Sequence, residues 1–312
     1  MRTRRPSVTL KLEGGLGNQL YEYAAGFLLA ARLNVDLRID QFVIPLSTVH
    51  AETISSLTQF NLPVLPNFKD TIFLPQLPAE FFIEASHRFP LVRKMTIASR
   101  LKIINFFGPE IYSESTLDDL LALKNPRRVH GNFQSWNYVE EAVKYGFPSA
   151  LTLKSTPNWL NQILSNIDTG KAVAVHFRMG SDAKGNKAYS QPTAKYYENA
   201  LSLMNIPPED VYVFSDDIES VKREFGKILG KECNYVEPPV SATSPEKLVL
   251  MSAFGNLICA NSSFCTWAGW SIVNRNGKVC VPQPYSDSES NLGSRDFSQK
   301  WTKLDKFTGA IV

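Results

Sequence analysis

A short polar segment that follows an apolar run holds residues suited to binding an anion. Residues 173–175 form a β-rich run typical of a buried parallel strand. His176, Arg178 and Gly180 follow it at once. Ligands of open α/β sheets bind just beyond the carboxyl ends of strands, and a guanidinium there binds oxyanions through paired N–H groups. The segment predicts a phosphate-binding strand end, although a solvent-facing arginine would leave the same pattern.

A second predicted strand ends in a hydroxyl and two carboxylates. Residues 211–214 are followed by Ser215, Asp216 and Asp217. Side chains at the carboxyl edge of a sheet face the crevice in which a ligand binds. The same residue types are favoured N-caps of a following helix, so a purely structural role stays open for all three.

A third predicted strand, residues 257–260, leads into Asn261, Ser262 and Ser263, and a helix follows. Hydroxyls and backbone N–H groups then converge on a helix N-terminus, which attracts phosphate. Helix capping by Ser262 or Ser263 is the structural alternative.

A glycine-rich loop near the N-terminus is the fourth candidate. Strand-like residues 8–12 lead into it, and an amphipathic helical pattern follows. A tight turn at Gly15 and Gly17 would place an anion or a sugar nucleotide on the N-terminus of that helix, with Asn18 as the N-cap. The spacing matches neither the dinucleotide fingerprint nor the Walker loop.

An aromatic and amide cluster follows one more predicted strand, residues 129–133. Its members Gln134, Trp136 and Tyr138 could stack on a sugar ring and form hydrogen bonds with it. Packing of Trp136 and Tyr138 in the core is the alternative.

The elements that must position these residues alternate between strands and helices, which predicts an α/β protein. Residues 1–155 are expected to form an N-terminal α/β domain, and residues 156–312 a C-terminal Rossmann-like domain. Residues 45–124 contain apolar clusters broken by prolines, and we assign no chemistry to them. Strands are predicted at 35–39, 173–176, 211–215, 235–236, 257–260 and 279–281, and helices at 194–203, 218–229, 244–253 and 264–273.

Composition excludes several function classes. A formal net charge of +3 is too small to favour nucleic acid, and no apolar run is long enough for a membrane span. The N-terminus lacks the apolar core of a secretory signal, so we expect a cytoplasmic protein, with Arg2, Arg4 and Arg5 available for peripheral membrane contact. The four cysteines lack zinc-site spacing and are expected to be buried free thiols.

Five segments then carry a resemblance to a known family. They read GGLGNQLYEYAAG at 14–26, GNFQSWNY at 131–138, HFRMGSD at 176–182, VFSDDIESVK at 213–222 and LMSAFGNLICANSSFCTWAGW at 250–270. In this order they resemble the inverting α-1,2-fucosyltransferases, which share motifs with the α-1,6- and protein O-fucosyltransferases.

The resemblance implies a GT-B architecture, in which two Rossmann-like domains face each other across a cleft. It implies that the C-terminal domain binds GDP-β-L-fucose as the donor. Fucose would be transferred with inversion to a hydroxyl of a galactose-containing glycan acceptor, commonly O2 of a galactoside. No metal ion or other cofactor is expected.

The resemblance also implies roles for single residues. Arg178 would contact the diphosphate, His176 would lie near the nucleotide, and Asn18 would reach the fucose–phosphate region from the facing domain. Asp216 or Asp217 would hold the guanine edge or neighbouring groups. The predicted catalytic residues are Arg178, Asn18 and Asp182; the predicted donor-binding residues are His176, Arg178, Gly15, Gly17, Ser215, Asp216, Asp217, Asn261, Ser262 and Ser263. The predicted acceptor-binding residues are Gln134, Trp136 and Tyr138 of the N-terminal domain, residues 1–155, which the resemblance places on the acceptor side.

One segment departs from the family pattern H-x-R-R-G-D. Met179 stands in place of the second arginine, and Ser181 separates Gly180 from Asp182. Loss of a cation that contacts phosphate would weaken charge stabilisation by about 1–3 kcal/mol. Two alternatives therefore stay open: the same fold with another nucleotide sugar or linkage, and a degenerate, non-catalytic protein that binds a sugar nucleotide or a glycan. Asp182, Glu13 and Glu22 are candidates for the general base.

Overall fold

The computed structural model describes residues 6–12, 14–40, 54–63, 110–112, 117–118, 128–131, 133–180, 190–285, 297 and 300–312. All structural statements below concern these residues. Several residues of the sequence-based predictions lie outside them, namely Arg2, Arg4, Arg5, Glu13, Ser181 and Asp182.

The N-terminal part forms a four-stranded parallel sheet with the strand order β2-β1-β4-β3. Its strands are β1 (Ser7–Lys11), β2 (Asp36–Asp40), β3 (Glu110–Tyr112) and β4 (Arg128–His130). Its helices are α1 (Leu16–Leu33), α2 (Ile54–Thr58) and α3 (Trp136–Val143).

The C-terminal part forms a six-stranded parallel sheet with the order β10-β9-β8-β5-β6-β7. Its strands are β5 (Val173–Phe177), β6 (Val211–Ser215), β7 (Asn234–Tyr235), β8 (Asn256–Ile258), β9 (Lys278–Gln283) and β10 (Thr302–Asp305). Its helices are α4 (Asn158–Ser165), α5 (Ala194–Met204), α6 (Ile218–Leu229), α7 (Ser244–Ser252) and α8 (Ser263–Val273).

The predicted alternation of strands and helices is confirmed in this sheet, with boundaries within two residues for most elements. The sequence does not predict strand β10, because Thr302–Asp305 lacks an apolar run and pairs with β9 only through the tertiary fold. None of the described helices combines the length and the apolar character needed to cross a membrane. The four cysteines are free and buried, as expected.

Helix α1 is buried on almost every side, which corrects the expectation of an amphipathic helix. Its buried positions include polar Gln19 and Glu22 as well as the apolar residues. The reason is that α1 packs against β1, α3 and α8 at once. A helix enclosed by neighbours in this way loses its solvent-facing side.

A cluster of aromatic side chains joins the two parts of the molecule. Trp136 of α3 stacks on Trp270 of α8 with ring centroids 5.1 Å apart and an interplanar angle of 11°. Tyr21 of α1 lies 4.9 Å from Trp267 of α8 and 5.0 Å from Trp136. Trp301 covers Trp136 from the C-terminal segment, with centroids 5.4 Å apart. Aromatic pairs of this geometry bury large areas and fix α1, α3 and α8 against one another.

Candidate functional site

The strand order of the C-terminal sheet contains a reversal between β5 and β8. From β5 the chain adds β6 and β7 on one side, and then returns to add β8, β9 and β10 on the other. Such a reversal opens a crevice outside the carboxyl ends of the two strands, where ligands of open α/β sheets bind. A ligand-binding site is therefore expected at the residues that follow β5 and β8.

Arg178 and Asn261 face each other across this crevice. Nη1 of Arg178, which is half-buried, donates to the carbonyl oxygen of Asn261 at 3.5 Å. Asn261 is fully buried, and its Nδ2 donates to the carbonyl oxygen of Tyr285 at 2.5 Å. The residues that follow β5 and β8 are thus in direct contact.

Two buried polar atoms beside Arg178 have no hydrogen-bond partner among the described residues: Nδ1 of His176 and Oδ1 of Asn261. His176 is 9% exposed and Asn261 is 0% exposed. Buried polar groups are almost always hydrogen-bonded to protein, water or ligand, because an unmade bond costs free energy. The two atoms are therefore available to form hydrogen bonds with a ligand or water in this crevice.

The N-terminus of α8 lies at the same crevice. The hydroxyl of Ser262 accepts the N–H of Phe264 at 3.3 Å and caps the helix. The ring of Phe264 lies 6.3 Å from the imidazole of His176, centroid to centroid. A helix N-terminus carries a partial positive charge, so α8 and Arg178 together favour an anion here. The capping role of Ser262 is observed, and its contact with a phosphate stays a prediction.

The two carboxylates after β6 are both hydrogen-bonded within the protein. Asp216 accepts the backbone N–H of Met179 at 2.7 Å with one oxygen and that of Gly180 at 2.9 Å with the other. It therefore holds the turn that carries Arg178.

Asp217 caps α6, accepting the N–H of Ser220 at 3.0 Å and its hydroxyl at 2.6 Å. The hydroxyl of Ser215 accepts the N–H of Asp217 at 3.0 Å. The capping alternative is thus observed for Asp217, and contact of Ser215, Asp216 or Asp217 with the guanine stays a prediction.

The side chain of Met179 lies in the core, and the effect of the missing arginine on phosphate binding stays a prediction. Its side chain is 6% exposed and belongs to an apolar cluster with Phe177, Tyr197 and Val213. In this chain position 179 serves packing.

The glycine-rich loop meets the crevice from the N-terminal part. A Cβ added to Gly17 would lie 2.6 Å from the backbone nitrogen of Phe264 and 2.7 Å from Oγ of Ser263. Nε1 of Trp267 donates to the carbonyl oxygen of Gly17 at 2.9 Å. Gly17 is therefore the residue that lets the first turn of α1 touch the first turn of α8.

Asn18 is not the N-cap of α1, contrary to the sequence-based prediction. The helix begins at Leu16 with Gly15 as the cap, and no side chain caps it. Asn18 lies in the first turn, and its Oδ1 accepts Nε2–H of Gln134 at 2.7 Å. Two predicted site residues from separate motifs are therefore in direct contact.

Comparison with known proteins shows the family of the chain. The family described as "Glycosyl transferase family 11" matches residues 90–305. The chain belongs to glycosyltransferase family 11. The predicted resemblance to this fucosyltransferase family is thereby confirmed.

The family 11 chain has curated relatives in Escherichia coli. It is 25% identical to an α-1,2-colitosyltransferase, over 96% of this chain and 99% of that protein. It is 24% identical to the O-antigen biosynthesis glycosyltransferase WbnK, over 94% of this chain and 99% of that protein.

Among solved structures, the chain is similar to NodZ, an α-1,6-fucosyltransferase soaked with GDP-fucose, from Bradyrhizobium. The match has a TM-score of 0.50 at 13% identity, and covers 86% of this chain and 93% of that chain. This likeness concerns the fold. The family 11 chain has the expected α/β fold of the GT-B type, with two Rossmann-like domains that face across a cleft.

In this family 11 transferase Trp136 and Tyr138 are core residues. Trp136 is 0% exposed and is enclosed by the aromatic cluster, while Tyr138 is 3% exposed and packs edge-on against Phe133. No ring face is left on Trp136 for a sugar. The structure favours the packing alternative for both, and corrects their placement at the acceptor site.

Two tyrosines of α5 support the crevice from behind, and no sequence motif indicates this role. The hydroxyl of Tyr196 donates to the carbonyl oxygen of Cys259 at 2.8 Å. The hydroxyl of Tyr197 donates to the carbonyl oxygen of His176 at 3.3 Å. Burial raises the pKa of Tyr196 and of Tyr197 well above the usual value, so both stay protonated donors. Their helical spacing alone indicates only core positions.

Two further predictions concern the general base and metal ions. Glu22 is fully buried in α1, whereas Glu13 and Asp182 lie outside the described residues. Within the described part of the chain, no group of three or more His, Cys, Asp or Glu side chains is arranged to hold a metal ion. Metal independence stays a prediction.

Proposed function

We propose that the chain transfers L-fucose from GDP-β-L-fucose to a hydroxyl of a galactose-containing glycan, O2 of a galactoside being the proposed position. The reaction proceeds with inversion and without a metal ion. Membership of family 11 and the α-1,2 linkage in the name of the Escherichia coli relative support the reaction class.

The observation that carries the proposal is the crevice between β5 and β8, where Arg178 and the N-terminus of α8 converge. Negative charge grows on the β-phosphate as the bond from the fucosyl carbon to the phosphate oxygen breaks. A guanidinium and helix N–H groups that are already in place stabilise this charge more in the transition state than in the ground state.

Asn18 contributes from the opposite side of the cleft. It lies in the first turn of α1, next to Gly17, where an added Cβ would collide with Ser263 and Phe264. In the proposed reaction its side-chain amide binds the fucose–phosphate region, and the incoming acceptor hydroxyl approaches from the N-terminal domain.

The second candidate is the same transfer from another nucleotide sugar. The α-1,2-colitosyltransferase that is 25% identical to this chain favours it. Colitose is L-fucose without the hydroxyl at C3, so the two donors differ in one polar group. A site that hydrogen-bonds this hydroxyl would reject the deoxy sugar strongly, whereas an apolar wall at C3 would discriminate weakly.

The decisive experiment measures release of GDP from GDP-fucose in EDTA, with and without a panel of β-galactosides. Release that depends on the acceptor supports transfer without a metal ion. Tight binding of GDP with no release for any acceptor contradicts the proposal and favours a degenerate binding protein. Release that requires added Mg²⁺ or Mn²⁺ contradicts metal independence alone.

The same assay separates the donors when GDP-fucose, GDP-colitose, GDP-mannose and UDP-sugars are compared at equal concentration. A higher kcat/KM for GDP-fucose supports the first candidate. A higher kcat/KM for GDP-colitose overturns it in favour of the second. Methylation analysis of the product then tests attachment at O2 of galactose.

A further inference from the structure

The contact between Gln134 and Asn18 joins two motifs that are 116 residues apart in the sequence. Gln134 lies between Phe133, which is fully buried, and Ser135, the N-cap of α3. The backbone N–H of Ser135 donates to the carbonyl oxygen of Phe133 at 2.7 Å. The backbone that carries Gln134 is therefore fixed on both sides, and its side chain reaches Asn18 from a rigid support.

The bond determines which end of the Asn18 amide is used by protein. Oδ1 accepts Nε2–H of Gln134 at 2.7 Å, so Nδ2 with its two N–H groups forms the other end of the amide. A Cβ on Gly14 would lie 2.8 Å from this Nδ2. Gly14 has φ +70°, and only a residue without a side chain fits there. The space beside the amide is thus kept for Nδ2 by a glycine.

We propose that Gln134 is a positioning residue that acts through Asn18. It holds the side-chain amide of Asn18 with Nδ2 as the hydrogen-bond donor offered to the sugar nucleotide, and it keeps Oδ1 away from the anionic phosphate. This inference rests on the proposed function. It replaces the sequence-based expectation that Gln134 contacts the acceptor.

The test is a double-mutant cycle on Gln134 and Asn18. Gln134→Glu keeps the shape but puts a carboxylate beside Oδ1, so the amide of Asn18 must turn and present its carbonyl oxygen to the donor. We expect kcat to fall roughly 10- to 100-fold with the acceptor KM within about twofold of the wild-type value. Asn18→Ala should cause a similar fall, and the double variant should be no slower than Asn18→Ala.

The matched control is Gln162→Glu, which makes the same chemical change on the exposed surface of α4 and should leave kcat and KM unaltered. Thermal unfolding of every variant verifies that the fold is retained. An acceptor KM that rises while kcat stays constant in Gln134→Glu would identify a direct acceptor contact and overturn the inference. Additive losses in the double variant would overturn it as well.

Binding of GDP-fucose, measured by calorimetry, makes the cycle independent of turnover. Here too the inference requires that Gln134→Glu weakens binding and adds nothing once Asn18 is alanine. A wild-type protein that binds GDP-fucose but transfers no fucose would refute the proposed function and leave this cycle readable. Unchanged affinity in Gln134→Glu, together with unchanged kcat, would refute the positioning role alone.

Discussion

The two helices that meet at the crevice begin in different ways. Helix α8 begins with a side-chain cap, because the hydroxyl of Ser262 accepts the N–H of Phe264. Helix α1 begins at Gly15 without any side-chain cap, and its first turn contains Gly17, where a Cβ would collide with α8. The N-terminus of α8 is capped by a side chain, whereas the N-terminus of α1 has no side-chain cap and packs closely against α8.

This difference separates two tasks of a transferase site. In the proposed reaction the start of α8, together with Arg178, supplies fixed positive potential for the leaving phosphate. In the same proposal the start of α1 brings the N-terminal domain into close contact with α8. It also contributes the side-chain amide of Asn18, whose Oδ1 accepts a hydrogen bond from Gln134. The proposal therefore assigns stabilisation of the phosphate charge to the C-terminal domain, and placement of the reacting groups to the N-terminal domain.

Arg178→Ala should break the electrostatic side with the largest effect. Removal of a fixed donor to a developing oxyanion lowers kcat by about 10²- to 10³-fold. Thermal unfolding should change little, because Arg178 is only half-buried. Arg223→Ala on the surface of α6 is the control and should retain full transfer. A fully active Arg178→Ala enzyme would refute the proposed role of this crevice.

Ser262→Asp separates capping from phosphate binding at α8. Aspartate is as good an N-cap as serine, so stability should be retained, whereas Ser262→Ala should lose about 1 kcal/mol. The added negative charge beside a phosphate should weaken GDP binding roughly 10- to 100-fold. Calorimetric titration with GDP measures this. Equal affinity for GDP in the wild type and in Ser262→Asp would leave Ser262 with capping only.

Gly17→Ala should break the geometric side. The new methyl group would lie 2.6 Å from backbone atoms of Ser263 and Phe264, so the two helices must separate. We expect a loss of about 1–3 kcal/mol in the free energy of unfolding, with reduced transfer.

Gly226→Ala in α6 is the matched control for this change. A Cβ there meets nothing within 4 Å, and alanine should stabilise the helix by about 0.5–1 kcal/mol. Denaturant midpoints measure both variants. Similar midpoints for Gly17→Ala and the wild type would mean that α1 and α8 are not in the close contact described.

Asp216→Asn and Asp217→Asn form the pair with the smallest expected effects. Asp216 accepts hydrogen bonds from the backbone N–H groups of Met179 and Gly180, and in Asp216→Asn an NH2 group would face one of these donors. We therefore expect the free energy of unfolding to fall by about 1–2 kcal/mol. Asparagine caps helices as well as aspartate does, so Asp217→Asn should cost about 0.5 kcal/mol or less. Urea unfolding compares the two variants. Equal losses would show that the Asp216 bonds do not stabilise the turn.

The sequence predicts correctly those helix ends that depend on apolar spacing and on a capping residue next to the helix. Helix α6 has the ends that the sequence predicts, since its apolar spacing is regular and Asp217 supplies a cap. The predicted start of α1 is wrong because Asn18 is a good cap by type, but its side chain is bound to Gln134. A preference for capping loses here to a tertiary hydrogen bond.

In the candidate site, too, some features follow from the sequence pattern and others depend on contacts between distant segments. Placement of Arg178, Asn261 and Ser262 at neighbouring strand ends follows from the parallel-sheet pattern, because such ends share one edge. The burial of Trp136 and the inward direction of Met179 could not be predicted, since each depends on side chains from distant segments. An aromatic residue at a strand end suits a sugar and a core equally well until its neighbours are known.

The aromatic cluster has a consequence for spectroscopy. Four of the five tryptophans, Trp136, Trp267, Trp270 and Trp301, are buried in the joint between the two domains, and only Trp159 lies partly exposed on α4. The intrinsic fluorescence of the protein therefore arises mainly from this joint, and its emission is that of indoles shielded from water. A change in emission colour on addition of a nucleotide sugar would report a rearrangement of the joint without any attached dye.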